Sequence, residues 1–251
     1  MLAMRCLSIL LTAIAIIFGT ANNASADYAK GRAAFLRGDY IAAGEEFESA
    51  AKVGSLEAMT ALGALYSEGL GVARDDASAF AWYLRAAEGG HIAAQGTLGR
   101  LYGLGLGVPK DDAKSLEWAR RAAEKGDVES QYIMGVRHAE GRGVKRDSGE
   151  ALLWFAAAAE QGLVRAQYSA GFLLAQGAAA AKLPAHSQQM RLEAYKWLLI
   201  ARRNGAADAE KGLIALKRLM TGEQTAAAEK SAGEFKTIAP YAGNPPRQSK
   251  P

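Results

Sequence analysis

The sequence predicts an all-α solenoid, in which antiparallel pairs of helices stack side by side. Trp82, Trp118 and Trp154 lie 36 residues apart. The same interval separates a set of glycines and a set of alanine pairs: Gly63, Gly99, Gly135 and Gly171, and Ala50-Ala51, Ala86-Ala87, Ala122-Ala123 and Ala158-Ala159. A fixed period of this length is typical of an array of supersecondary units, each burying its apolar face against its neighbours. Since such arrays mostly offer binding surfaces, we expect this chain to hold another molecule.

Residues 1–26 have the pattern of a secretory signal peptide. Arg5 supplies the positive start, Cys6–Gly19 is an apolar run, and Ala24-Ser25-Ala26 is a small-x-small cleavage site. A retained membrane anchor is the alternative, although the run is shorter than the roughly 20 residues that span a bilayer. We expect a cut after Ala26, a periplasmic or secreted protein, and no stable membrane insertion after cleavage.

Composition narrows the possible partners. Cys6 is the only cysteine, so the mature chain has no thiol or disulfide and depends on packing alone. The formal charge of +4 is mild, and acidic and basic residues are interleaved along the repeats. Nucleic acid is a poor candidate partner, because no basic stripe is present and because the chain is expected to be exported. We expect the protein to be a monomer.

The N-terminal pair is predicted to be Asp27–Leu36 and Tyr40–Val53, joined at Gly38-Asp39. It lacks the repeating tryptophan but keeps Phe47 and an alanine pair, as a capping unit would.

Each following unit reads as two helices. Between Ser55 and Glu68 the apolar residues recur at steps of three and four, which indicates one helix face. Gly69 and Gly71 then end the helix, because glycine adopts the left-handed conformation without a steric penalty. Asp75 or Asp76 can cap the next helix, which runs to about Glu88. Equivalent helices are predicted at Ile92–Leu104, Lys114–Lys125, Val128–Glu140 and Gly149–Gln161.

The last part of the array departs from the period. Trp197 follows Trp154 by 43 residues, so seven residues are inserted, and we expect an inserted loop within Gly177–Gln189. Helices resume at Arg191–Arg203, about Ala207–Leu219 and Glu223–Phe235, with Thr221 and Gln224 in a capping-box pattern. The predicted repeat domain, 27–238, therefore has six units, at about 27–54, 55–90, 91–126, 127–162, 163–205 and 206–238. A basic tail without periodicity, 239–251, is predicted to be disordered.

The segment Ala79–Asp111 resembles a Sel1-like repeat, a relative of the tetratricopeptide repeat. The matching motifs are Trp82-Tyr83 with Ala86-Ala87-Glu88, then Ala94-Gln95, Leu98-Gly99 and Leu101-Tyr102, then Gly105-x-Gly107-Val108 with Asp111. The resemblance is strong over three units, Ser55–Gly177. It implies a right-handed superhelix of helix pairs and an adaptor or scaffold role, often in the bacterial envelope or in signalling. Some family members restrain a membrane sensor kinase from the periplasm, so a regulator that binds the extracytoplasmic domain of a sensor is an alternative.

No catalytic constellation is apparent. The sequence has neither Gly-x-Ser-x-Gly nor His-Glu-x-x-His, and His91, His138 and His186 are scattered. The family's cysteine-rich secreted branch is described as penicillin-binding or weakly β-lactamase-like, but this mature chain lacks the cysteine pairs. An enzyme acting on cell-wall material or β-lactams is the weaker alternative. We therefore expect no enzyme activity, no cofactor and no metal site.

The candidate interface follows from the resemblance, because the first helix of each tetratricopeptide-like pair lines a concave face. The outward positions there are Thr60, Ala64, Ser67, Gly96, Arg100, Gly103, Tyr132, Val136, Ala139, Tyr168, Phe172 and Ala175. Tyr132, Tyr168 and Phe172 make one end aromatic, and the nearby arginines are Arg100, Arg137 and Arg165. Aromatic and arginine side chains are the usual anchors of interfaces, and small residues leave room for a peptide or helix of a protein partner. The alternative is that the tyrosines pack against neighbouring units, as we expect of the periodic aromatic residues Trp82, Tyr83, Trp118, Trp154, Phe155 and Trp197.

These observations predict an exported, non-enzymatic adaptor that binds a protein in the periplasm or envelope.

Overall fold

The computed structural model describes residues 25–238, so the predicted tail and all of the predicted signal peptide before Ser25 lie outside the described residues. Within that range the secondary structure is helical and contains no strand. The helices are α1 (residues 25–36), α2 (Tyr40–Lys52), α3 (Leu56–Glu68), α4 (Asp76–Glu88), α5 (Ile92–Leu104), α6 (Asp112–Glu124), α7 (Val128–Glu140), α8 (Ser148–Glu160), α9 (Val164–Ala180), α10 (Pro184–Arg203), α11 (Ala209–Lys217) and α12 (Gly222–Glu234). The predicted all-α solenoid class is confirmed.

The chain divides into two compact units, one ending at Lys125 and one beginning at Gly126. The first holds α1–α6 and the second holds α7–α12. Each has its own apolar core, built from successive helices that pack on one another.

Aspartates begin the second helix of each repeated pair, and glycines end the first. Asp75 Oδ1 accepts hydrogen bonds from the backbone N–H groups of Ala77 and Ser78, at 3.0 and 3.2 Å. Asp111 and Asp147 cap α6 and α8 in the same way. The glycines that end α3, α5 and α7 have φ angles of 68°, 71° and 76°, the left-handed region that other residues avoid: Gly69, Gly105 and Gly141.

The repeated helical glycines make room for a side chain on the facing helix. A Cβ at Gly63 would lie 2.9 Å from the Tyr83 ring, and a Cβ at Gly135 would lie 2.5 Å from the Phe155 ring. Real Cβ atoms essentially never lie this close to another atom, so a larger residue at either position would have to shift the facing ring. The glycines therefore recur every 36 residues because the two helices of each pair contact each other at this position.

The prediction that the periodic tryptophans are core residues needs correction. Trp82, Trp118 and Trp154 are only half-buried, and the fully buried aromatic residue is the next one along, Tyr83 or Phe155. Trp82 and Trp118 still pack against the apolar core of the first unit, and each also has an arginine over its ring. Arg85 lies 4.8 Å from the centre of Trp82, and Arg121 lies 4.7 Å from the centre of Trp118. Trp197 is buried as predicted, in edge-to-face contact with Phe235.

The inserted segment of the second unit is helical, and the prediction of an inserted loop was wrong. α9 continues through Gly177 to Ala180, and α10 begins at Pro184, so residues 181–183 alone connect the two helices. The alanines after Gly177 favour helix, and Pro184 fits the first turn, where its missing N–H costs nothing. Ser187 Oγ also donates to the carbonyl of Ala178, at 2.8 Å, and ties the extended helices together.

Among the described residues, no helix combines the length and apolar character needed to cross a bilayer.

Candidate functional site

The structure separates one predicted site residue from the others. Arg100 lies exposed on α5, in the first unit. The remaining five lie on α7 and α9, in the second unit: Tyr132, Arg137, Arg165, Tyr168 and Phe172.

Tyr132 is held by contacts within its unit. Its ring is 5.6 Å from that of Phe155, and the guanidinium of Arg165 lies 4.4 Å from its centre. Arg165 is also paired with Glu129. Tyr132 and Arg165 thus brace α7 against α8 and α9. This packing role is the alternative that the sequence left open for the tyrosines.

Arg137 is half-buried at the C-terminal end of α7. Its Nη1 lies 3.6 Å from the position that a Cβ would occupy at Gly143, so the side chain reaches back over the turn that follows the helix. It does not line the groove between α9 and α11.

Tyr168 and Phe172 form a stacked pair that faces an open groove. Their ring centroids are 6.0 Å apart with an interplanar angle of 17°, and Phe172 is 49% exposed. The groove has a volume of about 520 Å³. Its lining comes from α9, α10 and the segment around α11: Tyr168, Phe172, Ala175, Gln176, Ala179, Leu198, Asp208, Lys211, Gly212, Ala215, Leu216 and Leu219. Two of the six predicted site residues therefore lie at one site.

The wall opposite α9 was missed by sequence reasoning. Asp208, Lys211, Ala215 and Leu219 recur at steps of three and four along α11 and the residues that flank it, so they lie on one side of this segment. The signal in the sequence was an apolar residue at this spacing, Leu219, which is 63% exposed in the structure. The predicted outward positions stop at Ala175, because they follow the 36-residue register and the seven-residue insertion breaks that register after Gly177.

The floor and the far end of the groove depend on small residues. A Cβ at Gly212 would lie 2.8 Å from Cδ1 of buried Leu198, so glycine allows α11 to approach α10 closely. Ala179 belongs to the inserted segment and lines the groove because α9 is extended. The insertion therefore lengthens one wall of the site.

The groove is suited to binding, since its lining is mainly apolar and carries only two charged residues, Asp208 and Lys211.

Burial raises the pKa values of Tyr83 and Tyr195, but neither of these residues lines the groove. Within residues 25–238, no three side chains of the histidine, aspartate and glutamate types converge to hold a metal ion.

The histidines do not form a common site. His91 Nδ1 lies 2.8 Å from Thr60 Oγ1, in the first unit. His138 and His186 lie in the second unit, where His138 Nδ1 is buried with no hydrogen-bond partner and His186 is exposed on α10. His186 was expected in a loop and is helical instead.

The chain is a helical-repeat protein, because its helix pairs recur at a fixed period. Its open apolar groove lies between α9 and α11, each of which is the first helix of its pair. The family model for the Sel1 repeat matches residues 56–91, 92–127 and 128–163. The chain therefore contains three Sel1 repeats, and the predicted resemblance is confirmed. Sel1-repeat proteins are generally scaffolds for protein–protein interaction.

The chain is similar, to different degrees, to three solved structures. A Sel1 repeat protein from Oxalobacter formigenes is 27% identical, with a TM-score of 0.69 over 84% of this chain and 86% of that one. A putative Sel1 repeat protein from Klebsiella pneumoniae is 21% identical, with a TM-score of 0.48 over 77% of this chain and 93% of that one. The protective antigen c5321 of uropathogenic Escherichia coli is 21% identical, with a TM-score of 0.38 over 84% of this chain and 68% of that one. No curated protein matches the sequence significantly.

Proposed function

We propose that this protein is an exported, non-enzymatic adaptor that binds another protein in the bacterial periplasm or envelope. The observation that carries the proposal is the groove between α9 and α11, where Tyr168 and Phe172 stack beside an open volume of about 520 Å³. Exposed aromatic side chains in a concave apolar site are typical anchors of protein interfaces.

The shape of the groove favours a polypeptide ligand. Its residues on α9 run from Tyr168 to Ala179, about 17 Å at the rise of an α-helix. That length accommodates about three turns of a partner helix or an extended segment of about five residues. Ala175 and Ala215 on opposite walls leave space for a backbone to approach.

The direct test is capture of a partner by the tagged full-length protein from envelope extract, compared with two variants. Phe172→Ala removes a half-exposed ring, and Ala215→Arg places a long side chain in the groove while keeping a good helix former. Leu153→Ala is the matched control, because Leu153 is an exposed apolar residue of α8 outside the groove. We expect one protein to be retained by wild type and L153A and lost by both groove variants.

Circular dichroism decides what a loss of capture means. If F172A or A215R melts well below wild type, that variant reports folding and its binding result is set aside in favour of the other. If both variants fold normally and retain the same partner as wild type, the groove is not the binding site.

Export is tested by the mass of the protein's N-terminus after expression in a bacterial host. A periplasmic product that begins at Asp27 agrees with the proposal. A membrane-bound product that still begins at Met1 contradicts it.

A further inference from the structure

The first unit contains a cavity of its own, between α2 and α3. Its volume is about 140 Å³, and its lining residues are Tyr40, Ile41, Gly44, Glu45, Glu48, Leu62, Leu65, Tyr66, Gly71 and Val72. Leu62 and Leu65 are fully buried and form an apolar floor, whereas Ile41 on the rim is 66% exposed. The cavity lies in a different unit from the groove between α9 and α11.

The cavity exists because one side chain of the repeat is missing. Counting in steps of 36 residues, Gly44 stands where the later units carry Phe80, Leu116 and Leu152. In the next pair of the same unit, the ring of Phe80 packs edge-to-face on Tyr102, with ring centroids 5.3 Å apart. Tyr102 is the counterpart of Tyr66, which lines the cavity. The chain thus shows with its own Phe80 what fills this space elsewhere.

The size of the cavity suits an aromatic ring. A protein cavity of about 150 Å³ lined by apolar side chains binds benzene. A Cβ at Gly44 would lie 3.6 Å from Cδ1 of Leu65, so the site also accepts an added side chain without a clash.

The rim of the cavity is acidic. Glu45 and Glu48 are exposed on α2, one turn apart, and the lining contains no basic residue. The later units have Ala81 and Leu84, Glu117 and Arg120, and Leu153 and Ala156 at these two positions. The two carboxylates therefore occur together only at the pair in which the apolar side chain is missing.

We propose that this cavity is a second interaction surface, which takes an aromatic side chain of a partner polypeptide next to a lysine or arginine. The ring occupies the space that Phe80 occupies in the following pair. The neighbouring cation lies over Glu45 and Glu48, whose attraction is partly screened by salt because both are exposed.

Three small probes test the proposal on the full-length protein. Phenylalaninamide is cationic, N-acetylphenylalaninamide is neutral and N-acetylphenylalanine is anionic. Methyl resonances of Ile41, Leu62 and Leu65 report binding in NMR titrations. We expect affinity to fall from the cationic to the neutral to the anionic probe, and the difference to shrink in high salt.

Two variants separate the ring contact from the charge contact. Gly44→Leu restores the side chain of the later repeats, and we expect it to lower the affinity of all three probes at least tenfold and to raise the melting temperature. Glu45→Gln with Glu48→Gln leaves the cavity open, so the cationic probe should bind no better than the neutral one. Leu153→Ala, an exposed apolar residue of α8 outside both the cavity and the groove, is the control and should leave all three affinities unchanged.

Three outcomes would overturn the proposal: no shift of the cavity methyl groups with any probe, undiminished binding to a folded G44L variant, or equal affinity for the cationic and anionic probes at low salt. If G44L does not fold, the test rests on the variant with both Glu45→Gln and Glu48→Gln, and a cationic probe that still binds it better than the neutral probe overturns the proposal.

Discussion

Gln95 in the first unit and Gln167 in the second unit each donate a hydrogen bond to the preceding helix, but only Gln167 also accepts one. Each is buried, and each Nε2 donates to an alanine carbonyl at the end of the preceding helix: Ala87 at 3.1 Å and Ala159 at 3.2 Å. Asn204 then donates to Gln167 Oε1 at 3.0 Å. Gln95 Oε1 is buried with no hydrogen-bond partner.

The difference traces to the residue that directly follows the second helix of the pair. A third buried glutamine, Gln131 in the second unit, accepts a hydrogen bond at 2.9 Å from Gln161, which lies 30 residues further along the chain. The equivalent site for Gln95 is Lys125, which ends α6 and is exposed. The repeat therefore specifies the buried glutamine in both units, but a residue outside the motif decides whether the oxygen is satisfied. An unpaired buried acceptor costs about 1–3 kcal/mol.

The sharpest test of how the two units differ is alanine at their corresponding turn glycines. Gly107 and Gly143 have similar φ angles, 69° and 72°. A Cβ at Gly107 would lie only 1.9 Å from the carbonyl oxygen of Asp76, whereas one at Gly143 would meet only Arg137 Nη1, at 3.6 Å. Both alanines suffer the left-handed strain, about 1–2 kcal/mol, but Gly107→Ala must also displace backbone, at about 1–3 kcal/mol more.

Urea unfolding followed by circular dichroism measures both variants. We expect G107A to lose about 3 kcal/mol of unfolding free energy and G143A about 1 kcal/mol. Equal losses would show that the turn of the first unit relaxes without cost.

Lys125 follows α6 and Gln161 follows α8. Exchanging these two residue types should give Gln95 Oε1 a hydrogen-bond donor and weaken the hydrogen bond that Gln131 Oε1 accepts. Lys125→Gln provides a donor for Gln95 Oε1 and should raise the unfolding free energy by about 1 kcal/mol. Gln161→Lys replaces the amide that donates to Gln131 Oε1 with a flexible side chain that is exposed at the equivalent Lys125, and it should lower the unfolding free energy by about 1 kcal/mol. Gln95→Leu, which removes the acceptor, is the control for the first exchange. If K125Q stabilises the protein equally when Gln95 is leucine, the gain does not come from this hydrogen bond.

The smallest expected effect concerns the aspartates that cap α4 and α8. The pKa of Asp75 is lowered chiefly by the hydroxyl of Ser78, which donates to it, and then by backbone N–H groups. The pKa of Asp147 is lowered chiefly by the backbone N–H groups of Glu150 and Gly149. Both carboxyls have folded pKa values below their unfolded ones. Their stabilising contribution is therefore complete above about pH 4 and is lost as the pH falls through the folded pKa values.

Ser78→Ala should raise the pKa of Asp75 toward its ordinary value and leave that of Asp147 unchanged. Carboxyl chemical shifts in an NMR titration from pH 6 to pH 2 measure both. An unchanged Asp75 would mean that the backbone N–H groups alone set its pKa.

Much of the fold could be predicted because its signals are local. Asp75 caps α4 and Gly69 ends α3 through contacts within a few residues, so the sequence indicates both directly. The capping box of Thr221 and Gln224 at α12 was predicted for the same reason and is present. The candidate site was predicted only in part. Phe172 faces the groove, but Tyr132 is held between Phe155 and Arg165, which outward position alone does not reveal.

The sequence by itself determined the period, the helix pairs, their caps and the Sel1-repeat class, because each follows from backbone preferences and from apolar spacing along one helix. Only the tertiary structure decided that the inserted residues extend α9 and α10, that Leu219 and Ala215 form the second wall of the groove, and that Gly44 leaves a cavity over Leu65. The reason is physical. A groove or cavity is space between helices, and its existence depends on which side chains meet across that space at distances that spacing along the chain does not fix.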